Sequence, residues 1–76
     1  MPSDIGLSEA IKDALWKDDR LLEQRIQVEV ANGVVTLHGF VRTYEGRMLA
    51  QQIAASSNGC RKVINRLQAR GQEMKL

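Results

Sequence analysis

Apolar and polar residues alternate with a period of two from Ile26 to Val41, and the alternation is broken at one place, Asn32-Gly33. A period of two is that of a half-buried strand, and Asn-Gly tolerates the positive φ angles of a type I′ turn, so this stretch predicts a β-hairpin with a two-residue loop. Such a loop pairs Ala31 with Val34, Val30 with Val35, Val28 with Leu37 and Ile26 with Gly39. Ile26, Val28, Val30, Val35 and Leu37 then share one face, and Val41 joins them. The other face receives Arg25, Gln27, Glu29, Thr36, His38 and Phe40. One face therefore needs a cover and the other can stay wet.

The period lengthens on both sides of the hairpin. Leu7, Ile11, Ala14 and Leu15 fall at helical spacing, with Asp4 or Ser8 as N-cap and Glu9 in the first turn, predicting an amphipathic helix over about residues 7–18 that Asp18-Asp19-Arg20 ends. Trp16 lies off this stripe; it is expected to pack at the helix flank or against Leu21 and Leu22, a contact with a partner or lipid being the alternative. After the hairpin, Thr43 is the expected N-cap of a second helix, with Glu45 in the turn where the helix dipole favours a carboxylate and Gly46 weakening that turn. Its stripe is Ala50, Ile53, Ala54 and Ser57, small enough to let the axis approach a sheet, and Asn58-Gly59 is expected to end it as a left-handed cap pair. Alternation resumes over residues 60–70, with Val63, Asn65, Leu67 and Ala69 inward and Lys62, Ile64, Arg66, Gln68 and Arg70 outward. Helix, hairpin, helix, strand is an α+β chain. Residues 1–6 and 71–76 are expected to be tails around one domain at 7–70.

A chain of 76 residues can bury about 60% of its unfolded surface, enough for one core and little else. Its 43% apolar and 26% charged residues suit a water-facing globular domain, and no apolar run approaches the ~20 residues of a membrane span. The N-terminus lacks the basic, apolar and cleavage segments of a signal peptide, so the expected compartment is cytoplasmic as written, or periplasm or envelope if a leader was removed or the sequence is a fragment of a larger protein. Cys60 is the sole cysteine, which excludes an intramolecular disulfide and a multi-cysteine zinc site. The net charge of +2 is divided unevenly: residues 1–38 carry four basic against seven acidic groups, residues 39–76 seven basic against two acidic. The second half is where an anion would settle.

The run Ile-x-Val-x-Val-x-Asn-Gly-x-Val-x-Leu-x-Gly-x-Val at Ile26 to Val41, then Ala50-x-x-Ile53-Ala54, then Gly59-Cys60-x-x-Val63-x-Asn65-x-Leu67, resembles the BON family, named for bacterial osmotic-shock and nodulation proteins. The resemblance spans roughly residues 7–70. It implies an αββαβ domain whose three-stranded mixed sheet carries both helices on one face. It also implies attachment to phospholipid membranes or other macromolecules, often within envelope or stress-response proteins. Cys60 and Ser57 stand where the family usually has aliphatic residues. Beside Asn32 and Gly33 in the turn, Gly39 is expected to leave room for Ile26 or a close helix, and Asn65 to act as a clamp on the backbone of a neighbouring loop.

No catalytic constellation emerges. His38 and Cys60 are the only candidates for a nucleophile and base; parity sends His38 to the open face, whereas by the resemblance Cys60 replaces an aliphatic core residue. The carboxylates Asp13, Asp18, Asp19 and Glu23 lack the glycine and spacing of a calcium loop, and Gly59-Cys60-Arg61-Lys62 leads into a strand where phosphate loops lead into a helix. No catalytic residue, metal, cofactor or small-molecule substrate is therefore expected. The open sheet face is the candidate site: Phe40, Ile64 and Val34 as an apolar centre, with Arg25, Arg42, Lys62, Arg66 and Arg70 around it against Glu29. An aromatic rimmed by arginine is interface composition. The expected partners are a protein or a second copy of the chain, or an anionic phospholipid surface. A small cytosolic nucleic-acid-binding or regulatory domain is the alternative, with a single aromatic few for a stacking platform.

Overall fold

The computed structural model describes residues 4–21 and 25–69; the expectations placed on Leu22, on Arg70 and on the tail at 71–76 lie outside them. Six elements follow in order: helix α1 (Asp4–Lys17), a single 3-10 turn (Asp19–Leu21), strands β1 (Arg25–Ala31) and β2 (Val34–Val41), helix α2 (Tyr44–Ala55) and strand β3 (Lys62–Ala69). The sheet runs β1-β2-β3, antiparallel between the first two and parallel between the last two, so the fold is a mixed-sheet αββαβ sandwich. The hairpin register is the one the alternation predicts, from Ala31 opposite Val34 to Arg25 opposite Phe40.

The faces also separate by parity. Val28, Val35, Leu37, Val41 and Leu67 of the sheet join Leu7, Ile11 and Leu15 of α1, Leu21, and Ala50 and Ala54 of α2 in one buried core, which places both helices on the same face. Each larger aliphatic side chain buried there contributes roughly 1.5–3 kcal/mol. The two alanines keep α2 close enough to the sheet that they are fully covered. Thr43 caps α2 as expected, its Oγ1 accepting from the Gly46 amide at 3.0 Å.

Four local features differ from the sequence expectation. Helix α1 already includes Asp4, and the Asp4 carboxylate caps the hairpin instead of the helix, accepting from Asn32 N at 2.8 Å and Gly33 N at 3.2 Å. The opposite side of the turn is held by Arg61, whose amide donates to Gly33 O at 2.8 Å. With Asn32 at φ 54° and Gly33 at φ 81°, the turn has its expected geometry and is also the point where α1 and the entry to β3 meet the hairpin. Asp4→Ala is expected to cost about 1–2 kcal/mol, because two amides lose a charged acceptor, and to speed hydrogen exchange at Asn32 and Gly33; unchanged exchange there would show the contact to be idle.

Trp16 is not packed at the helix flank: it is 67% exposed. The turn after α1 is tied by Leu21 N donating to Asp18 O at 2.9 Å and by the Arg20 guanidinium forking onto the Asp18 carboxylate, and it sends Leu21 into the core while the indole stays outside. Arg20 also holds the Asp18 carboxyl below the usual carboxylate range. The support this pair gives is therefore present above the ordinary carboxylate pKa and fades as pH falls through the lowered one, weakly at so exposed a site.

Helix α2 ends at Ala55, ahead of Asn58-Gly59. The hydroxyls of Ser56 and Ser57 donate to Gln52 O and Ile53 O, at 2.8 and 3.1 Å, satisfying the last-turn carbonyls; only Gly59 of the predicted pair takes a positive φ.

Asn65 is a clamp, but on α2 and its own strand, not on a loop. Its Nδ2 donates to Arg47 O and to Gln51 Oε1, both at 3.0 Å, while its Oδ1 accepts from Leu67 N at 3.0 Å. Arg47 answers across the same gap, donating to Leu67 O at 2.9 Å and to Asn65 O at 3.2 Å. The middle of β3's outer edge, at Asn65 and Leu67, is thereby occupied by side chains.

Candidate functional site

The helix-free face of the sheet is built in rows by the strand register. Arg25, Phe40 and Gln68 form the first row, Gln27, His38 and Arg66 the second, Glu29, Thr36 and Ile64 the third, and Ala31, Val34 and Lys62 the fourth. Every one of these side chains alternates with a core-facing neighbour, so the hydrophobic pattern that builds the core also presents this surface. Phe40 is 42% exposed although it follows Gly39 and precedes buried Val41. Arg25 stands directly across from it on β1, and Arg42 follows one residue past the end of β2. Glu29 lies diagonally from His38, with Oε1 3.3 Å from Nε2.

The rows alter one feature of the expected site. Phe40 and Ile64 do not form one apolar centre, because the His38–Arg66 row separates them; Ile64 and Val34 make a second apolar patch near the turn end of the sheet. Arg25, Phe40, Arg42 and Arg66 gather toward the end of the sheet away from the turn, and Lys62 lies at the turn end. Among the described strand residues of this face, three cations (Arg25, Lys62, Arg66) oppose one anion, Glu29.

Two other glycine and arginine roles belong to the support of the face. Gly39 has φ +123°, and a Cβ there would lie 1.8 Å from Arg25 O. It is glycine because the backbone of Arg25 and Ile26 fills that space; the room expected for Ile26 is there, taken by main chain, and no helix atom is among the nearest. Arg47, which also lies over the Tyr44 ring at 5.9 Å, was not singled out in the sequence, since one arginine on a helix carries no signal that its target is a strand edge.

Elsewhere the concave surfaces are shallow. A groove of about 420 Å³ between the helices is lined by Ala14, Leu49, Gln52, Ile53, Ser56 and Ser57, none of which ionises in the physiological range. His38 sits on the open face and Cys60 packs against the core, so the fold does not bring them together. Among the described residues, no three His, Cys, Asp or Glu side chains group to hold a metal ion, and no helix is long and apolar enough to cross a membrane, which does not bear on β-barrels.

Two helices on one side of a three-stranded mixed sheet, with the other side uncovered by the described residues and carrying Arg25 and Arg66, make a small two-layer α+β fold. The family model for the BON domain matches residues 3–71, and the chain belongs to the BON family. BON domains serve in general as binding and targeting modules for phospholipid or protein. Among curated proteins no match to the chain is found.

Proposed function

We propose that this chain is a non-enzymatic docking module that attaches to a protein partner or an anionic phospholipid surface through its helix-free sheet face. The observation that carries this reading is Phe40, a ring 42% exposed on the central strand with Arg25 opposite and Arg66 and Arg42 close by. A ring flanked by guanidinium groups offers both desolvation energy and charge to an incoming acidic and apolar surface. A second lipid-facing reading has its own support in Trp16, whose exposed indole on α1 is of the kind that seats at a membrane interface.

Sedimentation with vesicles of phosphatidylglycerol and phosphatidylcholine, against vesicles of phosphatidylcholine alone, divides these possibilities. If the sheet face takes anionic lipid, Arg66→Glu is expected to weaken binding several-fold, and raising salt from about 50 to 500 mM is expected to do the same to the unaltered chain. Binding that is abolished by Trp16→Ala and untouched by Arg66→Glu assigns lipid to α1. If no vesicle binds, the lipid reading of the sheet face fails, and a protein partner, with nucleic acid as the alternative, is left to it.

A further inference from the structure

The sheet has two edges, and they are finished differently. On β3 the outward carbonyls of Asn65 and Leu67 and the Leu67 amide are taken up by Arg47 and the Asn65 side chain. On β1 the two-residue turn makes Ala31–Val34 a hydrogen-bonded pair, and alternation along an antiparallel ladder then turns Glu29, Gln27 and Arg25 toward β2. The backbone N–H and C=O groups of Ile26, Val28 and Val30 face outward, and among the described residues none of them has a further hydrogen-bond partner. β1 carries no proline and no lysine, the usual protections of an edge.

The helices above show the same asymmetry. Two helices side by side are about 20 Å wide, whereas three strands span about 14 Å and four about 19 Å. α2 packs on both β2 and β3, while α1 packs mainly on β1. The overhang therefore falls outside β1, where Asp4, Ile5, Ser8, Glu9 and Lys12 of α1 and Val30 of β1 line a groove of about 290 Å³. Ile5 is 77% exposed above it.

We infer that this edge, unoccupied by the described residues, is a fourth-strand position and that it takes an extended segment of a partner protein by strand addition to β1. The segment's backbone would pair with Ile26, Val28 and Val30, and its alternate side chains would enter beneath α1, where Ile5 and Val30 call for β-branched or other apolar residues. Its other face would lie beside Arg25, Gln27 and Glu29, so an acidic residue opposite Arg25 and a basic one four residues away opposite Glu29 complete the match. A second copy of the chain fits poorly, because pairing β1 with β1 about a two-fold axis sets two α1 helices only about 5 Å apart, half the distance helices need.

The probe is a capped nine-residue peptide of alternating valine and threonine in which two outward positions, four apart, hold glutamate and lysine, and amide hydrogen exchange is followed residue by residue. Saturating peptide is expected to slow exchange at Ile26, Val28 and Val30 at least tenfold and to leave Gln27 and Glu29, already bonded to β2, unchanged. Glu29→Lys is expected to weaken the peptide on the order of tenfold, with a peptide carrying glutamate in place of its lysine restoring it. Ile5→Lys, at an exposed position, is expected to weaken it without lowering the melting temperature. Unaltered exchange at these three amides with millimolar peptide overturns the inference. So does protection that appears in the chain alone as its own concentration rises, which would make the occupant a second copy. Loss of vesicle or partner binding at Phe40 leaves these outcomes unaffected, since Phe40 is on β2 and faces the open side.

Discussion

Gly39→Ala is expected to lower the melting temperature by at least about 15 °C. The added Cβ would lie 1.8 Å from the Arg25 carbonyl oxygen, and φ +123° is a conformation that alanine avoids. Neither strain can relax alone: moving Arg25 away breaks the Arg25–Phe40 end of the hairpin, and changing φ turns Phe40 and Val41 off their faces. The cost is at least about 4 kcal/mol, against a total stability of roughly 4–11 kcal/mol for a domain of this length. Circular dichroism melts check it directly. A melting temperature within a few degrees of the parent would mean that the strand accepts a bulge there.

The second large effect separates the two faces of the hairpin. Val28→Asp places a carboxylate opposite Leu37 in a core whose described members are all apolar, and it is expected to cost about 4 kcal/mol or more, a large share of the domain's stability. Gln27→Asp, one residue away, points to water beside His38 and is expected to change stability by less than about 1 kcal/mol. Equal melting temperatures for the two variants would reverse the assignment of faces on which the site depends.

What was legible in the sequence is what has a period. The alternation around Asn32-Gly33 determined register, faces and the exposure of Phe40, because a one-residue slip would turn every valine outward. The BON resemblance supplied what periodicity cannot, that the sheet is mixed and carries both helices on one face; that β3 lies parallel beside β2 came from the structure. The features that escaped are side-chain contacts across long stretches of chain. Asp4 reads as an ordinary helix cap until the fold carries it to a turn 28 residues on, and Arg47 reads as a surface cation until β3 arrives beneath it. The exposure of Trp16 has no signal in the sequence, because burial of a residue off the helical stripe depends on where the following turn leads, and that turn, fixed by Asp18 and Arg20, buries Leu21 instead. On the candidate face, the rows could be written only once β3's register was known, which is why Ile64 was grouped with Phe40.

Docking through the sheet face is tested most directly by Phe40→Ala, with melting temperature and binding to the anionic vesicles or to an identified protein partner measured on the same preparation. Phe40 is not part of the buried cluster, so the melting temperature is expected to fall by only a few degrees while affinity drops at least tenfold. A variant that melts normally and still binds as the parent does would contradict the assignment of the sheet face, as would a variant that no longer folds.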